Sequence, residues 1–121
     1  MYSKVKPHKN LEVWKQGIEL SKLSYKLSEK LPSEEKFGLT SQLKRASVSI
    51  PLNVAEGAAK NTKKEFIHFL YIARGSSSEV DTLLILLMEL QMVNIEDIKP
   101  LEELNDRINA MLNGLIKSLS S

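Results

Sequence analysis

The chain has 121 residues and no cysteine, which fits one domain and excludes disulfides and thiolate metal sites. The net charge is only +2, yet residues 1–75 carry 14 Lys or Arg against 7 Asp or Glu, and residues 76–121 carry 3 against 8. This asymmetry indicates either a surface for polyanions or complementary charges on neighbouring faces or subunits. No apolar run is long enough for a membrane span, and the N-terminus lacks the apolar stretch of a secretory signal, so we expect a cytoplasmic bacterial protein.

The first segment, residues 1–10, is predicted to be a flexible basic arm, because Pro7 disfavours helix and termini are commonly disordered. Asn10 is predicted to cap a first helix that ends before Pro32. Trp14 lies within the amphipathic pattern of this helix, so we interpret it as a core or interface anchor.

A second helix is predicted from about Gly38 to Gly57, with a kink at Pro51, which lacks the N–H that would bond to the carbonyl of Ser47. Its predicted core face consists of Leu39, Leu43, Ala46, Ile50, Val54 and Gly57. A separate apolar strip includes Val48 and Leu52, which we predict to be an interface with a second subunit, since one small bundle cannot cover both faces.

Two further helices follow. Thr62 and Glu65 have the spacing of a capping box, and a heptad-like seam then predicts a third helix to about Met92. Asn94 is predicted to cap a fourth helix with an apolar side that starts at Leu101. Short connections between four helices predict an all-α, antiparallel up-down-up-down bundle that forms one domain over residues 1–121.

Several segments resemble a known family. Residues 42–57, with the sequence QLKRASVSIPLNVAEG, resemble the signature of the bacterial four-helix-bundle proteins of the 23S rRNA intervening sequence. Residues 11–16 (LEVWKQ), 37–40 (FGLT), 64–70 (KEFIHFL) and 73–76 (ARGS), together with Glu79, extend the resemblance over most of the chain. Val54, where isoleucine is usual, and residues 92–94, in place of a glycine-containing turn, depart mildly from the family pattern.

The resemblance implies a four-helix bundle that assembles into a ring-like homopentamer. The family is also similar to the accessory variability determinants of diversity-generating retroelements, which bind nucleic acid and a reverse transcriptase. Structured RNA or a reverse-transcriptase-like protein is therefore the partner that the resemblance implies.

A polar set accompanies the core face of the second helix and includes one residue of the third. Its members are Arg45, Ser49, Asn53, Glu56 and Glu79. We interpret it as a structural hydrogen-bond network, buried or at an interface, because buried charges need partners. The alternative, an active site with a carboxylate pair, lacks a histidine or cysteine base.

The best candidate for a binding surface lies on the early third helix, opposite the apolar seam. Its members are Lys60, Lys63, Lys64, His68, Tyr71 and Arg74. Basic groups with an interleaved aromatic ring suit phosphate contact and base stacking, so we predict nucleic-acid binding here. The alternative is an ordinary solvated lysine face.

The sequence shows no metal, cofactor or catalytic signature, since a P-loop, GxGxxG and GxSxG are missing and the chain does not contain the two Glu-x-x-His motifs that a di-iron bundle needs. We predict a non-enzymatic homo-oligomeric scaffold that binds structured RNA or a nucleic-acid enzyme. The alternative is a protein–protein scaffold without a nucleic-acid role.

Overall fold

The computed structural model describes residues 7–35 and 38–121. Four α-helices make up most of this part of the chain: α1 (Glu12–Ser28), α2 (Leu39–Ala58), α3 (Lys63–Glu89) and α4 (Ile95–Ser120). The described residues include no β-strand. The predicted all-α class is therefore confirmed.

Each helix runs antiparallel to the helices beside it, because later residues of one helix meet earlier residues of its neighbour. Gly17 meets Pro51 whereas Ser21 meets Ser47. Ser49 meets Ser76 whereas Gly57 meets Phe69, and Arg74 meets Asn113 whereas Ser77 meets Asn105. Hydrogen bonds that fix these registers join Ser21 to Ser47, Ser49 to Ser76, Ser77 to Asn105 and Lys30 to Asp97. The four helices thus form the predicted up-down-up-down bundle.

One core fills the space between the helices, and the helical periodicity identified most of it. On α2 the predicted face is buried at Leu43, Ala46, Ile50 and Val54. On α3 the heptad-like seam is buried from Leu70 to Leu87. On α4 the buried side begins at Ile98, one turn before the predicted Leu101, and extends to Ile116.

The contact between α1 and α2 is built around Pro51. α2 continues through this proline as one helix, as predicted, while the kink itself stays a prediction. Gly17 of α1 lies against the proline ring: a Cβ on Gly17 would be 3.1 Å from Pro51 Cδ. The hydroxyl of Ser21, one turn further on, lies 3.2 Å from the carbonyl oxygen of Ser47. A glycine and a serine of α1 thus accommodate the ring and the missing N–H of α2.

The connection from α2 to α3 is short, and the two helices approach each other closely beside it. A Cβ on Gly57 would be 2.8 Å from Phe69 Cβ, so only glycine permits this approach of the two helices. The Thr62 hydroxyl accepts the backbone N–H of Glu65 at 3.1 Å, which confirms Thr62 as the cap of α3. The capping box is not completed, because the Glu65 carboxylate accepts the Thr62 hydroxyl at 3.0 Å.

α3 ends earlier than predicted, at Glu89 rather than near Met92. Gln91 has a φ of 60°, in the left-handed region. Its N–H donates to the carbonyl of Met88 at 2.9 Å, and the Met92 N–H donates to the carbonyl of Leu87 at 3.0 Å. This Schellman arrangement ends the helix without the glycine that usually occupies its left-handed position.

α4 begins with a reciprocal cap. Asn94 accepts the backbone N–H of Asp97, and Asp97 accepts the backbone N–H of Asn94, which confirms the predicted cap at Asn94. Lys30, just beyond α1, donates to Asp97 Oδ1 at 2.8 Å. The Lys30 bond, followed by the Asn94 N–H bond, lowers the pKa of the Asp97 carboxyl below its usual value.

The N-terminal segment differs from its prediction. Pro7–Asn10 form a 3-10 helix that packs against α1 and α2, with the His8 ring 4.9 Å from the Trp14 ring, so these residues are not a free arm. Leu11, not Asn10, occupies the cap position of α1. The rest of the predicted arm, residues 1–6, lies outside the described residues.

Candidate nucleic-acid interface

The predicted basic surface lies on the turn before α3 and on the first three turns of that helix. We call it the basic patch; it consists of Lys60, Lys63, Lys64, His68, Tyr71 and Arg74. All of these residues are exposed except Arg74, which is half-buried. The core residues of the same turns, Leu70 and Ala73, are completely buried on the opposite side. The amphipathic spacing of α3 therefore gave the correct exposed face.

The Tyr71 ring is the main apolar feature of the patch. Its exposed fraction is 47%, and the guanidinium carbon of Arg74 lies 4.7 Å from the ring centroid. Arg74 Nη1 also donates to Asn113 Oδ1 of α4 at 3.1 Å. Arg74 is thus fixed between the aromatic ring and the neighbouring helix, and it presents a cation beside a partly open ring. The role of Asn113 was not predicted, since it depends on the register between α3 and α4.

The lysines of the patch differ in their contacts. Lys60 Nζ lies 5.3 Å from the Phe69 ring centroid and 4.0 Å from Glu56 Oε2, so its charge is partly matched within the chain. Within residues 7–35 and 38–121, Lys63 and Lys64 take part in no ion pair. Phosphate contacts would therefore depend more on Lys63 and Lys64 than on Lys60.

The predicted polar network is smaller than expected. Asn53 Nδ2 donates to the Ser49 carbonyl at 2.8 Å and to Ser49 Oγ at 2.9 Å. Ser76 of α3 completes the cluster with a 2.9 Å hydroxyl contact to Ser49 Oγ. Three small polar side chains thus fix the α2–α3 register. Ser76 was missed as a member because its contact depends on the pairing of two helices.

The charged members of that predicted network are placed differently. Arg45, Glu56 and Glu79 are exposed, and in the described part of the chain neither Arg45 nor Glu79 belongs to an ion pair. These three charges are therefore not buried within one chain, and their burial at an interface stays a prediction. Arg45 and Glu79 instead line opposite walls of a groove of about 500 Å³ between α2 and α3. We call this cavity the α2–α3 groove; its polar lining consists of Ser41, Gln42, Arg45, Ser49, Ser76 and Glu79.

The predicted oligomer-interface residues lie on the outer side of α2. Leu52 has 62% of its surface exposed, whereas Val48 is half-buried. Ile18 and Tyr25 are large apolar side chains exposed on the adjoining α1. Lys44 Nζ lies 4.8 Å from the Tyr25 ring centroid, which places this part of α1 beside α2. We call Ile18, Tyr25, Val48 and Leu52 the outer apolar face.

Other kinds of site find no support in the described residues. They contain no group of three His, Asp or Glu side chains positioned to hold a metal ion. None of their helices combines the length and the apolar character that crossing a membrane requires.

Comparison with known proteins identifies the family. Residues 9–114 match the family described as 23S rRNA-intervening sequence protein, and the chain belongs to this family. The crystal structure of a protein of unknown function from the S23 ribosomal protein family of Bacteroides thetaiotaomicron VPI-5482 is similar, with 26% identity and a TM-score of 0.81. The match covers 87% of this chain and 98% of that one. Curated proteins gave no match.

Proposed function

We propose that this protein is a non-enzymatic, homo-oligomeric scaffold that binds structured RNA or another nucleic acid at the basic patch. The observation that carries the proposal is the half-open Tyr71 ring beside Arg74, with Lys63 and Lys64 exposed on the same helix. Lysines neutralise phosphates and release their counterions, while an open aromatic ring can stack on an unpaired base. The family name refers to 23S rRNA, which supports nucleic acid as the class of ligand.

The chemistry of the patch favours recognition by charge and shape. Its lysines act as flexible point charges, and Arg74 is engaged by Tyr71 and Asn113. We therefore propose little dependence on base sequence and a preference for RNA with unpaired, accessible bases. A reverse-transcriptase-like protein that acts on the same nucleic acid is the protein partner that the family resemblance favours.

Assembly is the second part of the proposal. The outer apolar face exposes Tyr25 and Leu52 on α1 and α2, and Ile85 of α3 and Leu90 just beyond that helix are exposed separately. Contact between these unlike groups in neighbouring copies would be head-to-tail, which closes into a ring when the rotation permits. The family resemblance favours five copies. A ring would repeat the basic patch and raise the affinity for a long RNA through avidity.

The binding test is a titration of RNA that contains a stem and an unpaired loop, at low and moderate salt. Wild type should bind more weakly as salt rises, because each neutralised phosphate releases condensed counterions. The variant K60A/K63A/K64A should bind more weakly to RNAs of all sequences and show a flatter salt dependence. Tyr71→Ala should weaken binding to single-stranded RNA more than to duplex RNA, since stacking needs an open base.

A matched control separates this patch from net charge. Lys99, Arg107 and Lys117 of α4 are exposed, and their triple replacement by Ala removes the same charge. This control should keep more of the RNA affinity than the patch variant does. Equal losses in the two variants, or no RNA binding by wild type at low salt, would contradict the proposal and favour the protein–protein scaffold.

The assembly test is native mass spectrometry of the full chain at micromolar concentration. Wild type should appear as an oligomer. Leu52→Asp should shift the protein toward monomer, because burying the new carboxylate in the subunit interface would remove its hydration. Lys117→Asp, on an exposed position of α4, which carries no residue of the outer apolar face, is the control with the same new side chain. A monomeric wild type would end the assembly proposal.

A further inference from the structure

The α2–α3 groove has a set of polar side chains that the proposed RNA-binding surface does not use. Its volume, about 500 Å³, is within the range typical of small-molecule sites. Arg45, Gln42 and Ser41 contribute from α2, and Glu79 contributes from α3. Because Arg45 and Glu79 carry opposite charges and form no ion pair within the described residues, both charges are available to a ligand.

The floor of the groove has a hydrogen-bond donor without an acceptor. Ser49 Oγ accepts Asn53 Nδ2 and lies 2.9 Å from Ser76 Oγ. Only one proton can bridge the two hydroxyls, so the other hydroxyl keeps a proton, and no hydrogen bond in the described part of the chain uses it. This O–H and the Arg45 guanidinium are donors within one groove, an arrangement that suits a carboxylate.

The opposite wall selects against other anions. Glu79 places a carboxylate in the same groove, which repels a dianionic phosphate and attracts an ammonium group. A diamine would in turn be repelled by Arg45. The ligand that satisfies both walls carries one anionic and one cationic group, as the α-amino acid zwitterion does.

The groove continues into a second cavity that suits an apolar side chain. This cavity, of about 310 Å³, shares Gln42 and Glu79 with the groove. Ser78 and Thr82 of α3 also line it, and Leu83 and Leu86 are its apolar part. Leu83 lies one turn beyond Glu79, about 6 Å along the helix axis, which a leucine-sized side chain can span. Gly75 at this surface has nothing within 4 Å of where a Cβ would be, so the entrance is open.

From these observations we infer that the α2–α3 groove binds an apolar α-amino acid. Its carboxylate would contact Arg45 and the free serine hydroxyl, its ammonium group Glu79, and its side chain Leu83. Since this site uses no residue of the basic patch, it is independent of the proposed RNA binding.

The test measures the thermal unfolding midpoint of the full chain with L-leucine, L-methionine or L-phenylalanine. At a concentration of about ten times the Kd, binding to the folded state should raise the midpoint by several degrees. L-Leucinamide and N-acetyl-L-leucine each lack one of the two charges and should give no shift. L-Aspartate and L-lysine should also give none, because their side chains would place a charge against Leu83.

Two groove variants and one control complete the test. Arg45→Gln and Glu79→Gln remove exposed charges, so both should fold, and each should weaken leucine binding at least about tenfold by calorimetry. Arg107→Gln, on α4 away from the groove, should bind as wild type does. RNA affinity of the two groove variants should stay close to that of the control.

Four outcomes would overturn the inference. One is the absence of a shift with all three apolar amino acids. Another is equal binding of leucine and leucinamide. The third is unchanged leucine affinity in both groove variants. A guanosine nucleotide that binds here in place of the amino acids would also overturn it and would assign the groove to nucleic acid instead.

Discussion

The hydroxyl of Ser21 on α1 lies 3.2 Å from the carbonyl oxygen of Ser47 on α2, the carbonyl that Pro51 leaves without its helical donor. Ser47 is completely buried, so water cannot readily replace this contact. The same hydroxyl lies 2.9 Å from the Gly17 carbonyl, and its one proton is shared between the two acceptors. A side chain from one helix thus compensates a backbone defect in its neighbour.

Ser21→Ala should therefore destabilise the fold by about 1 kcal/mol, because the buried Ser47 carbonyl loses its donor. In a Pro51→Ala background the new N–H can bond to that carbonyl, and the cost of Ser21→Ala should fall by at least about 0.5 kcal/mol. Chemical denaturation of the four proteins in this double-mutant cycle measures the difference. Additive effects would show that Ser21 and Pro51 are not coupled.

Gly17→Ala should also destabilise the protein. Alanine gains about 1 kcal/mol of helix propensity over glycine, but its Cβ would press on the rigid Pro51 ring at 3.1 Å, and such overpacking costs about 1–3 kcal/mol. Gly114→Ala on α4 is the matched control, since no atom lies within 4 Å of its Cβ position. The control should gain about 0.5–1 kcal/mol in unfolding free energy. A similar gain in unfolding free energy for Gly17→Ala would contradict this prediction, because it would mean that α1 and α2 adjust to the added methyl group at little cost.

Gln91→Gly should stabilise the end of α3. Gln91 has a φ of 60°, and a non-glycine residue in this region costs about 1–2 kcal/mol. Part of the gain is lost because glycine is more flexible in the unfolded chain, so we expect a net increase of about 0.5 kcal/mol in unfolding free energy. Gln91→Ala, which keeps the Cβ, should not reproduce it. A loss of stability in the glycine variant would contradict the role of the backbone conformation.

The Asp97 carboxyl should make the stability of the fold depend on pH. The Lys30 and Asn94 hydrogen bonds lower its pKa in the folded state, so its stabilisation is complete above the usual carboxyl pKa and is lost as pH falls through the lowered value. The difference in unfolding free energy between wild type and Asp97→Asn should therefore be larger at neutral pH than at about pH 3. Lys30→Ala should raise the pKa of Asp97 in an NMR titration. A difference that does not change with pH would contradict this linkage.

The sequence was sufficient to predict the bundle, because each helix repeats its apolar residues at the helical period. The exposed face of α3 followed for the same reason, since Tyr71 lies opposite the seam that contains Leu70. The contacts of Arg74 with Asn113 and of Ser49 with Ser76 could not be predicted in this way. They depend on the register between two packed helices, and the apolar pattern of a single helix does not determine that register.

The exposure of Arg45 also could not be predicted from the helical pattern. The spacing of Arg45, Ser49 and Asn53 correctly predicted that they lie on one side of α2. It did not predict how deeply each side chain is buried. Ser49 and Asn53 are half-buried beside α3, whereas the longer Arg45 reaches solvent. Likewise, Asn10 has the chemistry of a cap, but the 3-10 turn from Pro7 moves the start of α1 to the next residue.

The tight approach at Gly57 has a consequence for how the chain acquires its fold. α2 and α3 are joined by only residues 59–62, and Gly57 lets their backbones meet immediately beside this turn. Contacts close in sequence lose little chain entropy, so the α2–α3 hairpin is well suited to form first and to serve as the template on which α1 and α4 dock. A residue with a side chain at position 57 would then act on the folding rate, and φ-value analysis of Gly57→Ala should place its effect mainly on that rate.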